Sequence, residues 1–199
     1  MKRLILLEGK NDLHFLKCIF LNSGKNSSEE LDEYINEGLK EKKSIAETNK
    51  LRSYIKNSKV NVLAKVENGK QSQRSLFREN CVNFASSDLY MTVVFDLDQS
   101  PINKNIKERI EELKSRHPDL NFVKKKTSQM AFGSRRVDFE VTKMFGRNIK
   151  TLFDFSFFMF EVSLESIAKK TFPYFMNPLG GICELAKHFK VSDLFPSDL

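Results

Sequence analysis

Leu89–Ser100 reads LYMTVVFDLDQS, and the fold turns on this stretch. Tyr90, Thr92, Val93, Val94 and Phe95 are strong strand formers in a nearly unbroken apolar run, which predicts a strand covered on both faces. The run stops at Asp96, and a second carboxylate follows at Asp98. Residues two apart project to the same side of a strand, so the two acids converge where the strand leaves the sheet. In open parallel sheets ligands bind at that edge, and paired oxygen donors suit Mg²⁺ or Mn²⁺. The same residues also read as ordinary strand-end acids, one of them capping the helix that follows.

Working outward, Leu4–Leu7 predicts a central, buried strand close to the first residue. It runs into Glu8-Gly9-Lys10-Asn11-Asp12, and Leu13, Leu16, Ile19 and Phe20 then fall at helical spacing. Gly9 suits the turn, and Asn11 or Asp12 suits the cap of the new helix. Glu8 thus stands at a strand's carboxyl end, as Asp96 does. VNVLAKV, residues 60–66, predicts another strand, ending in Glu67-Asn68-Gly69-Lys70 before a polar helix through Gln73, Leu76 and Phe77. If the first strand lies between this one and Leu89–Asp96, Glu8 and Asp96 are neighbours and Glu67 is farther off. Ile102, Ile106, Ile110 and Leu113 mark an amphipathic helix, and Leu120–Val123 follows as a fourth parallel strand. These units predict a small doubly wound α/β domain over residues 1–127.

Asn22–Lys59 interrupts that domain as a helical insertion: Ser27 and Glu30 have capping-box spacing, and Leu31, Tyr34, Ile35 and Leu39 follow at helical intervals. Residues 128–199 form a Phe-rich extension packed on the same core. In it Val137, Phe139 and Val141 alternate with polar residues as in a half-buried strand, turned back at Phe132-Gly133-Ser134. LFDFSFFMFEV follows and is too apolar for a surface; its Phe cluster suits core packing or a subunit interface better than a base-stacking platform. Ser163 opens a helix, and Gly180-Gly181 precedes a last one over Ile182–Phe189.

The two acidic corners resemble a known family. A strand ending in Glu-Gly-x-x-Asp, as in LLEGKND, followed by one ending in Asp-x-Asp, as in VVFDLD, resembles the Toprim domain. That metal-binding catalytic domain is shared by topoisomerases, bacterial primases and several nucleases. The wording is most similar to small stand-alone Toprim proteins, the nuclease domains of the overcoming-lysogenization-defect family and the ribosomal-RNA maturases. The likeness covers roughly residues 3–125. It implies a Rossmann-like fold, Asp96 and Asp98 as ligands of Mg²⁺ or Mn²⁺, and Glu8 as a general acid/base or further ligand. Lys10 and Asp12, in the first motif, join Glu8 as implied catalytic residues, with Lys10, or one of Lys124, Lys125 and Lys126, neutralising the transition state. Ser100 stands where many family members carry a third acid, which favours one metal over two. No topoisomerase tyrosine context, zinc motif, helicase segment or P-loop accompanies the motifs, so an ATPase partner would be a separate protein.

FDLDQS also resembles the first motif of haloacid-dehalogenase-like phosphatases, but Gln99-Ser100 replaces the usual Gly-Thr and Glu8-Gly-x-x-Asp12 is left without a purpose. A third reading is a non-catalytic Toprim fold that binds nucleic acid or serves assembly.

Charge supports a nucleic-acid partner, DNA or RNA. The net charge is +7 over 199 residues. Nearly all of it falls in residues 124–150, where Lys124, Lys125, Lys126, Arg135, Arg136, Lys143, Arg147 and Lys150 meet only Asp138 and Glu140. A single-sign field suits a polyanion. The first five are the candidate nucleic-acid contacts, and the stretch starts near the acidic edge. Self-association is open. Cys18, Cys81 and Cys183 have no metal spacing and read as separate reduced thiols. Glu8 ends the first apolar run after four residues, and Leu152–Phe160 is too short to span a bilayer. A soluble, cytoplasmic protein without membrane contact is expected.

Overall fold

A computed structural model describes residues 2–24, 31–35, 53, 61–85 and 89–195. In chain order it has β1 (Lys2–Leu7), α1 (Lys10–Asn22), β2 (Leu31–Ile35), β3 (Val62–Val66) and α2 (Lys70–Ala85). Then come β4 (Leu89–Asp96), α3 (Ile102–Arg116), β5 (Leu120–Gln129), β6 (Arg135–Phe145), β7 (Asn148–Phe160), α4 (Leu164–Thr171) and α5 (Pro178–Ala186). All seven strands form one sheet in the order β2-β3-β1-β4-β7-β6-β5. Every pair from β2 to β7 is parallel, and β6 alone runs against its neighbours β7 and β5. The class is α/β with a mixed, mostly parallel sheet.

Helices cover both faces because the strands are apolar on both. Leu4, Leu6, Val93, Phe95, Phe155 and Phe157 pack on the side of α2 and α3. Ile5, Leu7, Val94, Phe158 and Phe160 pack on the side of α1, α4 and α5. Phe139 and Phe155 stack at 5.1 Å, and Phe77, Phe95 and Phe139 meet Phe157 edge-on. The Phe-rich stretch is therefore core.

Three expectations about the strands and helices change. Leu31, Tyr34 and Ile35 belong to a strand, β2, hydrogen-bonded to β3, and not to a helix; the backbone ladder outweighs a short helical spacing. The rest of the proposed helical insertion lies outside the described residues. Leu120–Val123 is not the fourth parallel strand beside β4. It opens β5, which pairs only with β6 at the far edge, while β7 takes the place next to β4. A strand buried on both faces must be apolar throughout its inner half, and Phe153–Phe160 meets that need better than Leu120–Lys126, whose residues are exposed from Val123 to Lys126. Finally, α5 starts at Pro178, so Gly180-Gly181 lies inside it: Asn177 caps Leu179 N–H at 3.0 Å, and Gly181 lets the helix approach α4, where a Cβ would stand 3.3 Å from Ala168 Cβ.

Polar groups close the α5 side of the sheet. Tyr90 bonds Ser156, Ser156 bonds Asp138, and Arg136 Nε donates to Asp138 Oδ1 at 2.9 Å. Arg136 Nη1 also donates to the carbonyls of Ser192, Asp193 and Phe195 at 3.1, 3.1 and 2.6 Å, while Thr92 donates to that of Leu194 at 2.9 Å. The last described turn is thus tied to β4 and β6. Cys18 and Cys183, 165 residues apart, are joined as a disulfide with Cα atoms 5.3 Å apart, so they are not the separate thiols expected; only Cys81 is free. Among the described residues no helix is long and apolar enough to cross a membrane.

Replacing Arg136 by Met leaves Asp138 as a buried, uncompensated charge and frees three carbonyls, which predicts a loss of about 3–5 kcal/mol of stability in urea denaturation. A loss under about 1 kcal/mol would show the pair to be effectively solvated.

Candidate metal centre

The parallel order brings five strand ends to one edge. Leu6 opposes Val93, which sets Glu8 beside the end of β4, and β1 lies between β3 and β4. Glu67 is accordingly displaced, and it pairs with Lys65 at 2.7 Å in the interior. Gln73 of α2 donates from one amide to the carbonyls of Leu6 and Val94, at 2.9 and 2.6 Å, two residues before each central acid. It locks the two strand ends together.

Glu8 and Asp96 each keep one buried carboxylate oxygen, Oε2 and Oδ1, without a hydrogen-bond partner. Such atoms are costly unless protonated or given a cation. Burial, then the charges of Asp12, Glu8 and Glu165, push Asp96 up to about 8. Burial likewise raises Glu8 above the ordinary carboxylate range, against the pull of Lys70. Asp98 is exposed, and its left-handed backbone (φ 49°), followed by Gln99 at 64°, bends the chain back over the edge. Gln99 N–H donates to the Glu161 carbonyl at 3.0 Å and holds that bend.

Asp12 has a mainly structural post. Its Oδ2 accepts from the backbone N–H groups of Glu8 and Gly9 at 3.0 and 2.9 Å, closing the strand–helix corner. Burial raises it to about 7. Gly9 is extended (φ −153°) with open space about it, so the corner does not require glycine there. Gly69 does, with φ +102°. Directly after it, Lys70 contacts Asp98 and stands 4.0 Å from Glu8 Oε2. Lys10 is exposed, and Lys70 is the cation at the acids.

Three further contributors escape a reading of the sequence. Glu165, in the first turn of α4, accepts from Asn11 and raises Glu8, Asp12 and Asp96 by its charge. Its only signal is the capping Ser163 just after β7. Arg109 is buried with its guanidinium 3.7 Å from the Phe95 ring centroid; burial and Arg74 lower it to about 10, and its charge favours ionised Glu8. Its signal is its position on the apolar stripe of α3, three residues after Ile106. Lys70 was marked only by the Gly69-Lys70 corner.

The basic candidates separate. Arg135 is at the acidic edge, since it and Phe95 both oppose Met159, and its Nη2 lies 3.6 Å from Glu161. A cleft of about 320 Å³ opens there beside Asp98, lined by Gln99, Ser100, Ile102, Arg135, Glu161 and Val162. Arg136 is buried and spent on Asp138 and carbonyls, so it is not free to meet a nucleic acid. Lys124, Lys125 and Lys126 are exposed on β5, level with Met91 and Thr92 and not at the acidic edge. Strand spacing and rise put them about 20 Å from Asp96.

Comparison with family models, with curated proteins and with solved structures finds no match to this chain.

The raised acids set a pH dependence. Asp96 and Asp12 move up from an ordinary 3.8, so between about pH 4 and 8 the folded protein binds more protons than the unfolded one. Stability of the metal-free protein therefore falls as pH rises through that window. Asp96→Asn should flatten the fall, each kcal/mol being worth about 2–4 °C in Tm at this size. Thermal melts at about pH 5 and pH 8 check this; a Tm that rises over the range overturns the assignment.

Proposed function

We propose that the chain is a Toprim-type nuclease that hydrolyses nucleic-acid phosphodiesters with Mg²⁺ or Mn²⁺. The observation that carries this is the pair of buried carboxylate oxygens of Glu8 and Asp96, neither of them hydrogen-bonded, on adjacent parallel strand ends. The donors would be hard oxygens from Glu8, Asp96 and Asp98, with Glu165 close by, and oxygen donors are the type that Mg²⁺ or Mn²⁺ takes. When bound, the ion would polarise the phosphodiester and activate water.

The chain's own residues do the rest. Asp96 and Asp98 would hold the ion, and Glu8, its carboxyl raised by burial above the ordinary carboxylate range, would exchange a proton with the attacking water or leaving oxygen. Lys70 offers its ammonium to a non-bridging phosphate oxygen, the role expected of Lys10. Arg135 engages the backbone next to the cut, while Lys124, Lys125 and Lys126 hold it several nucleotides away. The substrate is DNA or RNA; a second copy or a separate protein would extend the track.

One observation favours the non-catalytic reading: Lys70 bridges Glu8 and Asp98 and so already supplies a counter-charge at the acids. A single experiment divides the two. Pure protein is incubated with single-stranded DNA, duplex DNA and RNA, with Mg²⁺ and with chelator. Metal-dependent cleavage is expected, falling about 100-fold or more in Asp96→Asn and Asp98→Asn, since an ion contributes several kcal/mol to such a transition state. Glu8→Gln should lose cleavage yet keep most of the Mg²⁺-induced rise in Tm. Salt-sensitive binding without cleavage in the parent, unaffected by metal, would establish the non-catalytic reading instead.

A further inference from the structure

We propose that His14, Cys18 and Cys183, with the two sulfurs as thiolates, form a binding site for a thiophilic cation of the Zn²⁺ class. The site lies on the seam between α1 and α5 and is separate from the acidic edge. His14 and Cys18 are one helical turn apart on α1, so their side chains share a face. Cys183 comes from α5, and the two helices pack together through Phe15, Cys18, Ile182 and Leu185.

The three donor atoms lie within 4.8 Å of one another. His14 Nε2 is 3.3 Å from Cys183 Sγ and 3.8 Å from Cys18 Sγ. Tetrahedral Zn²⁺, with bonds near 2.0–2.1 Å to nitrogen and 2.3 Å to sulfur, asks for N···S separations of about 3.6 Å, midway between them. It asks for S···S of about 3.8 Å, so the ion and the disulfide are alternative uses of the same sulfurs. Cα atoms 5.3 Å apart suit the disulfide, and separating the sulfurs for an ion needs side-chain motion only.

Charge and donor type define the ligand. Two thiolates and a neutral imidazole cancel a dication, so the loaded site is neutral and compatible with an apolar seam. Soft donors reject Mg²⁺, which keeps this site distinct from the oxygen cluster. Cys18 is buried, whereas His14 and Cys183 are half-buried, so the ion has a path from solvent and water completes the fourth position. Cys81 lies in the opposite core, its thiol pushed up to about 12 by burial, and takes no part.

The test uses full-length protein reduced with a phosphine and titrated with Co²⁺. One equivalent should give a sulfur-to-cobalt charge-transfer band with tetrahedral visible bands, bleached by one equivalent of Zn²⁺. Asp96→Asn and Cys81→Ser should keep the band, so the result does not depend on the acidic edge. Cys18→Ser and Cys183→Ser should abolish it, and His14→Ala should weaken binding at least about tenfold. A readout free of variants is alkylation mapped by mass: Zn²⁺ should protect Cys18 and Cys183 together. No charge-transfer band in the reduced parent, an unprotected pair, or sulfurs that stay bonded to each other under reductant would overturn the proposal.

Discussion

Strand β4 is held in parallel on both sides, by β1 and by β7, and the acidic edge depends on that arrangement. Parallel neighbours end at the same side, so whatever follows each strand is collected there: Glu8 after β1, Asp96 closing β4, Glu161 and then Glu165 after β7. The ladder alone leaves the last residues free to fray. Gln73 prevents this by taking one carbonyl from β1 and one from β4, and Leu97 and Gln99 N–H groups reach the carbonyls of Phe160 and Glu161 across the other junction. The strand ends that carry Glu8 and Asp96 are thus fixed by hydrogen bonds to their backbone.

Concentrating acids this way is unfavourable, and the protein offsets it in three ways. Protonation is one: Asp96 and Asp12 titrate near neutrality because burial disfavours their charged forms. Lys70 is the second, a partly exposed ammonium in contact with the exposed Asp98. Arg109 is the third and is fixed, wedged on Phe95 inside the α3 layer. On the proposed metal-dependent reading, a divalent cation would compete with the proton and with Lys70 for the same carboxylate oxygens.

Much of this edge was legible from short-range pattern. The apolar runs before Glu8 and Asp96 mark two strands, the helical spacing after each marks the crossovers, and the neighbour relation of β1 and β4 follows from those units. What was not legible depended on partners distant in sequence. Leu31–Ile35 has a helical spacing that is outweighed once β3 offers a ladder. Phe153–Phe160 shows its burial but not its place, because an apolar run does not say which strand it will join. Glu165 and Arg109 reach the acids only through that placement. Cys18 and Cys183 carry no spacing signal, since 165 residues of chain separate them.

The antiparallel extension explains why the cluster of basic residues in the sequence does not form one basic surface. Arg136 and Asp138 project from β6 toward the turn at residues 191–193, where charge is admissible only if paired and hydrogen-bonded, so Arg136 becomes a structural clamp. One position earlier, the alternation of the strand turns Arg135 to the cleft at the acidic edge. On β5, exposure over five successive residues, Val123 to Thr127, lets Lys124, Lys125 and Lys126 stay solvated beside each other, although Lys125 is partly neutralised by Glu140 at 3.2 Å. The basic stretch of sequence is therefore three different objects: a clamp, an edge contact and a remote track. Only the last two are exposed enough to meet a polyanion, and on the proposed nuclease reading the distance between them would set how many nucleotides lie between the track and the acids.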